Sequence, residues 1–408
     1  MNRYLPFEWI AATRFMRNGL MQTLLIISGV ALGVSVIVFM SALLTGLQSN
    51  LFRRTLDYQA QIVIIPPEDV ARPLRGGGPV AEAAILQPRS QRLRSVDQWQ
   101  KVRDLIRRMP EVVAVTPVVS GPGFAARGDA SKAVNITGIE PDSYLRIIAL
   151  RDKIVAGHLS VSNAEIIIGT ELANDLGVKV GDKLSLSPAS GAMQTLIVSG
   201  IFDFGNKGIN GRNVYVALRV AQSMLDLAGG VSSIELNVRD PFLAETTAQQ
   251  IAAQTNVQVD SWITTNAQFF TAMSAQTMSN TFIRFFVGLT AALGIASVLV
   301  VSVVQKSKEI GILRAMGTTQ QQILRVFLIQ GGVMGMIGSL FGSALGAVFL
   351  SFWRGVAKNP DGTQMFAITA EPRLFVIATI GATLIGVLSA AAPARRAARL
   401  DPAVAIRG

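Results

Sequence analysis

The chain has 408 residues, 50% of them hydrophobic and 15% charged, with 37 Lys and Arg against 26 Asp and Glu and no cysteine. Soluble domains carry about a quarter charged residues, so this is the composition of a membrane protein, and the missing cysteines exclude a disulfide framework, a thiolate nucleophile and a Cys-ligated metal. The net charge of +11 does not mark a nucleic-acid partner: residues 47–283 hold 22 basic and 21 acidic side chains, so the surplus lies beside the apolar segments.

In chain order, residues 1–22 form an amphipathic N-terminal segment with Arg3, Arg14 and Arg17 against Glu8. A first transmembrane span is predicted over Thr23 to Gly46, within the charge-free run between Arg17 and Arg53. That run exceeds the roughly 7–15 residues of a cleavable signal core, so an uncleaved anchor is expected.

Residues 47–283 then form one large domain. Strands are predicted at Gln61 to Ile65, Val112 to Val119 and Ala133 to Ile139, with a helix over Asp97 to Met109 whose apolar residues Trp99, Val102, Leu105, Ile106 and Met109 keep helical spacing. The Gly- and Pro-rich stretch from Arg72 to Arg89, with Gly76-Gly77-Gly78, reads as a mobile loop with no assigned role. A βαβ-type subdomain is expected over about 47–155 and 230–265, and a second, β-rich one over about 156–230. The latter holds strands at Ile166 to Ile168, Thr195 to Phe202 and Asn213 to Val216, with a helix from Glu171 to Leu176 stopped by Gly177. Ser233 to Val238, a helix over Phe242 to Gln254 and Val257 to Trp262 close the domain. From Thr265 no Pro or Gly interrupts the helical pattern until Gly288. One long stalk helix over 265–284 should therefore run into the second span.

The remaining spans are predicted at Phe285 to Gln305, Val326 to Trp353 and Leu374 to Pro393, separated by a segment over 306–325 and a loop over 354–373. Lys and Arg accumulate on the cytoplasmic side. The N-terminus, the segment after span two and the tail over 394–408 together carry eleven basic against three acidic residues, whereas the 354–373 loop is nearly balanced. Both termini are therefore expected inside and the large domain outside, periplasmic in a bacterial inner membrane. The fold class is an α-helical membrane protein with four transmembrane helices plus a large α+β periplasmic domain of two subdomains between the first and second helices.

No phosphate-binding loop of the G-x-x-x-x-G-K-[ST] type occurs, so the chain is not expected to hydrolyse nucleotide itself. His158 is the single histidine and fits a polar turn better than a metal site. The predicted spans contain no Asp, Glu, Lys, Arg or His, which disfavours ion-coupled transport. Gly29-x-x-x-Gly33 and Gly338-x-x-x-Gly342-x-x-x-Gly346 allow close helix approach, either within the chain or at a dimer contact.

Lys306 to Gly332 reads KSKEIGILRAMGTTQQQILRVFLIQGG. This segment strongly resembles the permease subunits of the ABC family that includes macrolide-exporter (MacB-type) and lipoprotein-releasing (Lol-type) systems. The resemblance implies that Glu309, Ile310, Gly311, Arg314, Ala315 and Gly317 form the element that docks in a groove of the ATPase. A short amphipathic helix ended by Gly317 suits such a groove; an ordinary basic loop would explain the charges but not the apolar stripe. The tail from Ala392, APARRAARLDPAVAIRG, also resembles the family's terminal element. GHLSVSNAEIIIGTELANDLGVKVGDKLSL from Gly157, VSSIELNVRDPFLAE from Val231 and VDSWITTNAQFF from Val259 look more like the Lol branch than the MacB branch.

The resemblance implies a permease without cofactor of its own, paired with a second copy or a paralogue and with two ATPase subunits that bind ATP and Mg. Closure of that dimer is transmitted to the periplasmic domains. In the Lol branch a triacylated lipoprotein is extracted from the outer leaflet and passed to a soluble carrier. Where a carrier-recruiting Lol subunit has an extended hook loop, this chain has only Ser187-Pro188-Ala189-Ser190-Gly191-Ala192, which leaves that contact to a partner subunit. Two other readings stay open: a MacB-like exporter of a drug, peptide or glycolipid feeding a membrane-fusion adaptor, and a non-transporting FtsX-like regulator.

Phe269, Phe270, Met273, Met278, Phe282, Phe285 and Phe286 gather soft side chains near the outer membrane surface, and Phe39, Leu43 and Leu47 prolong span one to that level. They are candidate contacts for acyl chains of membrane lipid or cargo. The competing account is helix packing with an interfacial aromatic band. Arg284 among them can meet a lipid phosphate or snorkel to the interface.

Overall fold

The computed structural model describes residues 6–67, 93–188, 193–358 and 371–401. The expected loop over 72–89, the end of the 187–192 turn and the tail beyond Asp401 lie outside the described residues. The elements in chain order are α1 (Phe7–Asn18), α2 (Leu20–Tyr58), β1 (Ile62–Ile65), α3 (Trp99–Ile106), β2 (Val112–Arg127), β3 (Ala130–Ile139), α4 (Pro141–Tyr144), β4 (Ile154–Gly157), β5 (Glu165–Gly169), α5 (Thr170–Leu176), β6 (Lys183–Pro188) and β7 (Gln194–Phe202). They continue with α6 (Lys207–Arg212), β8 (Asn213–Ala217), α7 (Leu218–Met224), β9 (Ser233–Val238), α8 (Ala244–Gln254), β10 (Gln258–Ser261), α9 (Trp262–Thr265), α10 (Ala267–Gln305), α11 (Ser307–Ala315), α12 (Gln320–Val356) and α13 (Pro372–Ala398). Two units result, residues 1–51 with 271–408, and residues 52–270.

The first unit is helical. Among the described residues α2, α10, α12 and α13 are long and apolar enough to cross a bilayer. Each outruns its predicted span, because a helix does not end where the hydrocarbon does. The fourth was expected to stop at Pro393, yet α13 carries this proline inside and continues to Ala398. Buried Ala390, Ala394 and Ala397 hold the last turns in place. A capping box starts α12: the Thr319 hydroxyl accepts from the Gln322 backbone N–H at 3.3 Å, and the Gln322 side chain accepts from Thr319 at 2.9 Å. The glycine stripe of α12 faces α2. A Cβ at Gly342 would stand 2.5 Å from the Ala31 carbonyl oxygen, and one at Gly338 would stand 2.7 Å from Val30 Cβ. These glycines are thus a packing device inside the chain.

In the second unit β10, β1, β9 and the first half of β2 form an antiparallel sheet, with Val63 opposite Asp260 and Glu235. Side chains of α3, α8 and α9, notably Ile106, Ile251 and Trp262, bury its apolar face. The second half of β2 pairs with β3 on one edge and β6 on the other. From there pairing passes through β8, β5 and β7 back to β6, closing a six-stranded ring. Ile166 and Ile168 point into one core and Ile167 into another, so β5 is covered on both faces.

The sequence-based division near residue 156 does not follow this pairing. β3 runs parallel to β8, with Ile136 opposite Val214, so residues 119–139 belong with the ring. One 16-residue strand, β2, serves both sheets. The predicted stalk begins after a break: Ser261 caps α9, Asn266 interrupts, and α10 starts at Ala267.

Candidate coupling segment and outer membrane face

The residues after span two form the nine-residue helix α11, terminated at Gly317, whose φ of +100° admits little but glycine. Gly317 N–H reaches the Arg314 carbonyl at 3.1 Å and Thr318 N–H reaches that of Leu313 at 3.1 Å, so the last turn's carbonyls are satisfied before α12 begins.

The helix has two faces. Ile310 and Gly311 are buried, Ile310 against a cluster that includes Ala12 and Phe15 of α1, Ile323 and Phe327 of α12, and Ala394 and Ala397 of α13. Four residues on from Ile310, Arg314 stays on that inward face. Its guanidinium donates to the carbonyl oxygens of Ala398 at 3.2 Å and Leu400 at 2.5 Å. Lys308, Glu309, Ile312, Ala315, Met316 and Gly317 face outward, with Ile312 50% and Met316 72% exposed. Glu309, Ala315 and Gly317 therefore lie on the surface open to a partner, whereas Ile310, Gly311 and Arg314 hold the helix in its seat.

Lys306, at the junction of α10 and α11, is a second tie. Its ammonium donates to the Phe15 carbonyl at 3.0 Å and stands 4.4 Å from the centre of the Phe15 ring. Burial lowers its pKa, and the nearby Glu309 carboxylate partly offsets this. Arg325 meets Glu8 of α1 at 3.8 Å. The amphipathic N-terminal segment is thus fastened beside α11, a relation that only long-range contact reveals.

The predicted lipid contacts separate into three groups. Phe39 and Leu43 pack on α12 with Leu350 and Trp353, Phe39 lying edge-on to Phe349 and Trp353 at 6.3 and 6.1 Å. In the second unit, Phe269 and Phe270 surround Phe52 at 5.7 and 5.8 Å together with Trp262. Met278, Phe282, Phe285 and Phe286 are exposed, as is Leu47, and Met273 is half-buried. Arg284 donates to the Ser41 hydroxyl at 2.6 Å.

Elsewhere, among the described residues of the second unit, one carboxyl is strongly perturbed. Burial pushes Glu235, half-buried on β9, up to about 7, and Tyr215 beside it is pushed up to about 12 by its own burial. Tyr144, in the same cluster, is raised for the same reason. His158 joins no metal-ligating group among the described residues.

Residues 23–254 match the family model of the MacB-like periplasmic core domain, and residues 281–402 match that of the FtsX-like permease C-terminal region. The chain is 26% identical to the lipoprotein-releasing system transmembrane protein LolC of Xylella fastidiosa, over 96% of this chain and 95% of that protein. It is 22% identical to LolE of Haemophilus influenzae over 92% and 91% of the two chains. With the macrolide export ATP-binding/permease protein MacB of Brucella abortus it shares 26% identity over 97% of its own length but 59% of that protein.

Proposed function

The chain belongs to the MacB and Lol type of ABC permease, a multi-pass inner-membrane family, and from that membership we propose that it extracts a lipidated substrate, first of all lipoprotein, from the outer leaflet. Support for this cargo comes from relatives named lipoprotein-releasing that run along nearly its whole length. It is the membrane half of the machine: ATP is hydrolysed by a separate subunit, two of which serve a pair of permeases. The termini lie in the cytoplasm and the second unit in the periplasm.

The observation that carries the reading is the two-sided helix α11. Its outward Ile312 and Met316 lie one turn apart and offer an apolar ridge for an ATPase groove. Its inward Ile310 and Arg314 engage the ends of α1, α12 and α13. A push on the ridge is thereby delivered to several membrane helices at once. At the other end, exposed Phe282, Phe285 and Phe286 supply apolar surface for acyl chains.

The test is to purify the chain with its cognate ATPase and identify by mass spectrometry what co-purifies before and after ATP is added. Triacylated lipoprotein that leaves on ATP addition is the expected result. A stable periplasmic adaptor without lipoprotein would replace this reading by the macrolide-exporter one, which the MacB likeness also favours. Recovery of a cell-wall hydrolase would point instead to the regulator.

A further inference from the structure

Within the helical unit, α2, α10 and α13 line a half-open slot of about 240 Å³. Its wall runs from Ser41, Arg284 and Leu374 at one end to Val30, Ile295 and Ile385 at the other. On each helix the two limiting residues are eleven positions apart, which at 1.5 Å per residue makes the slot about 16 Å long. That is roughly half of the ~30 Å hydrocarbon thickness, the depth of a single leaflet. The volume falls below the roughly 300–1,000 Å³ of sites for drug-sized molecules and takes part of one linear chain, the rest lying in the open side.

The slot has a polar end. Besides Ser41, Arg284 is the one polar side chain among its described lining residues. Ser41 donates to the Ile37 carbonyl at 2.5 Å, which leaves its hydroxyl oxygen to accept from Arg284 Nη2 at 2.6 Å. Among the described residues one of its five guanidinium N–H donors is so engaged. Among the described residues no carboxylate lies within ion-pair distance of Arg284. A guanidinium whose other donors meet no described residue, above an apolar channel, is complementary to a phosphate that carries an acyl chain.

We propose that this slot is a binding site for an anionic membrane phospholipid, one acyl chain lying between α2, α10 and α13 and the phosphodiester resting on Arg284. The lipid part of a triacylated lipoprotein contains esters, a thioether and an amide but no anion, so it leaves this arginine unmatched. The occupant is therefore a resident lipid and not the cargo, and the inference needs only the membrane location of the helices.

The test compares binding of dioleoylphosphatidylglycerol and dioleoylglycerol, which differ in the phosphate headgroup, to the full permease with its ATPase in detergent by native mass spectrometry. The expected result is at least tenfold tighter binding of the phosphatidylglycerol, abolished in Arg284→Gln, which should bind both lipids alike. Gly381→Leu should weaken both, because Gly381 lines the slot and a Cβ there meets nothing within 4 Å, so the side chain can fill it without backbone collision. A photoreactive residue replacing Ala378 should label lipid. Equal binding of the two lipids by the unmodified protein, unchanged binding by Gly381→Leu, or labelling of a second permease copy or of the cargo anchor at 378 would each overturn the proposal.

Discussion

Arg314 donates to the carbonyl oxygen of Leu400 at 2.5 Å, so one side chain of α11 closes the end of α13. Arg314 is thereby turned away from the exposed face that carries Ile312 and Met316. The proposed docking surface and the contacts that seat the helix thus lie on opposite faces of α11.

Ile312→Glu and Met316→Glu should weaken ATPase association by about 10- to 100-fold, the range expected when about 1.5–3 kcal/mol of apolar burial is replaced by a charge. Arg314→Gln should retain the ATPase but lose cargo release, since the push no longer reaches α13. Co-purification and cargo release measured on the same preparations separate the two. Loss of ATPase binding in Arg314→Gln alone would reverse the assignment of the faces.

Lys306→Met keeps the side chain's apolar stem and removes the charge that sits on Phe15. The expected cost is about 1–2 kcal/mol, read as faster hydrogen exchange in α1 with the periplasmic unit unaffected. Exchange unchanged in α1 would mean that the Glu8–Arg325 pair and the packing of Ala12 suffice.

Gly342→Leu should sharply lower the yield and thermal stability of the detergent-solubilised protein, because its Cβ would stand 2.5 Å from the Ala31 carbonyl oxygen; a cost of about 1–3 kcal/mol follows from overpacking. Gly29→Leu, where a Cβ meets nothing within 4 Å, should be tolerated. If Gly29→Leu instead abolishes pairing of two permeases in a crosslinking assay, that face is the dimer contact.

Glu235 gives a pH dependence with a definite sign. Its carboxyl rises from an ordinary value of 4.5 to about 7 through burial beside Tyr144 and Tyr215. The protonated form is the one the fold favours. Its contribution is thus complete below about pH 4.5 and is lost as pH rises through about 7, by about 1–3 kcal/mol. Hydrogen exchange of β9 in the full chain should accelerate from pH 5 to pH 8 beyond the intrinsic chemistry, and Glu235→Gln should remove the excess. An excess that persists in the glutamine variant would place the titrating group elsewhere.

Much of this was readable in the residues and some was not, for identifiable reasons. Charge-free runs located the four long apolar helices found among the described residues, and the turn at Gly317 and the strand Ser233–Val238 followed from local signals. The second half of β2 was missed because Gly121-Pro122-Gly123 reads as a breaker. In the fold those glycines admit close neighbours: a Cβ at Gly123 would lie 2.6 Å from Ile136 Cδ1 and 3.0 Å from the Ser187 carbonyl oxygen. Helical periodicity showed that Ile310 and Arg314 share a face and that Ile312 and Met316 share another. Both faces carry apolar residues, so only the neighbours supplied by α1, α12 and α13 decide which is inward.

Closure of the ring also limits how extended peptides can be received. β2, β3, β5, β6, β7 and β8 each have partners on both sides, so their backbone groups are spent along those registers. Among the described strands β4 pairs with β7 alone and β10 with β1 alone. Among the described strands a partner that binds by strand addition therefore finds open edges at Ile154–Gly157, at Gln258–Ser261 and along residues 130–134 of β3, which pair with β2 alone.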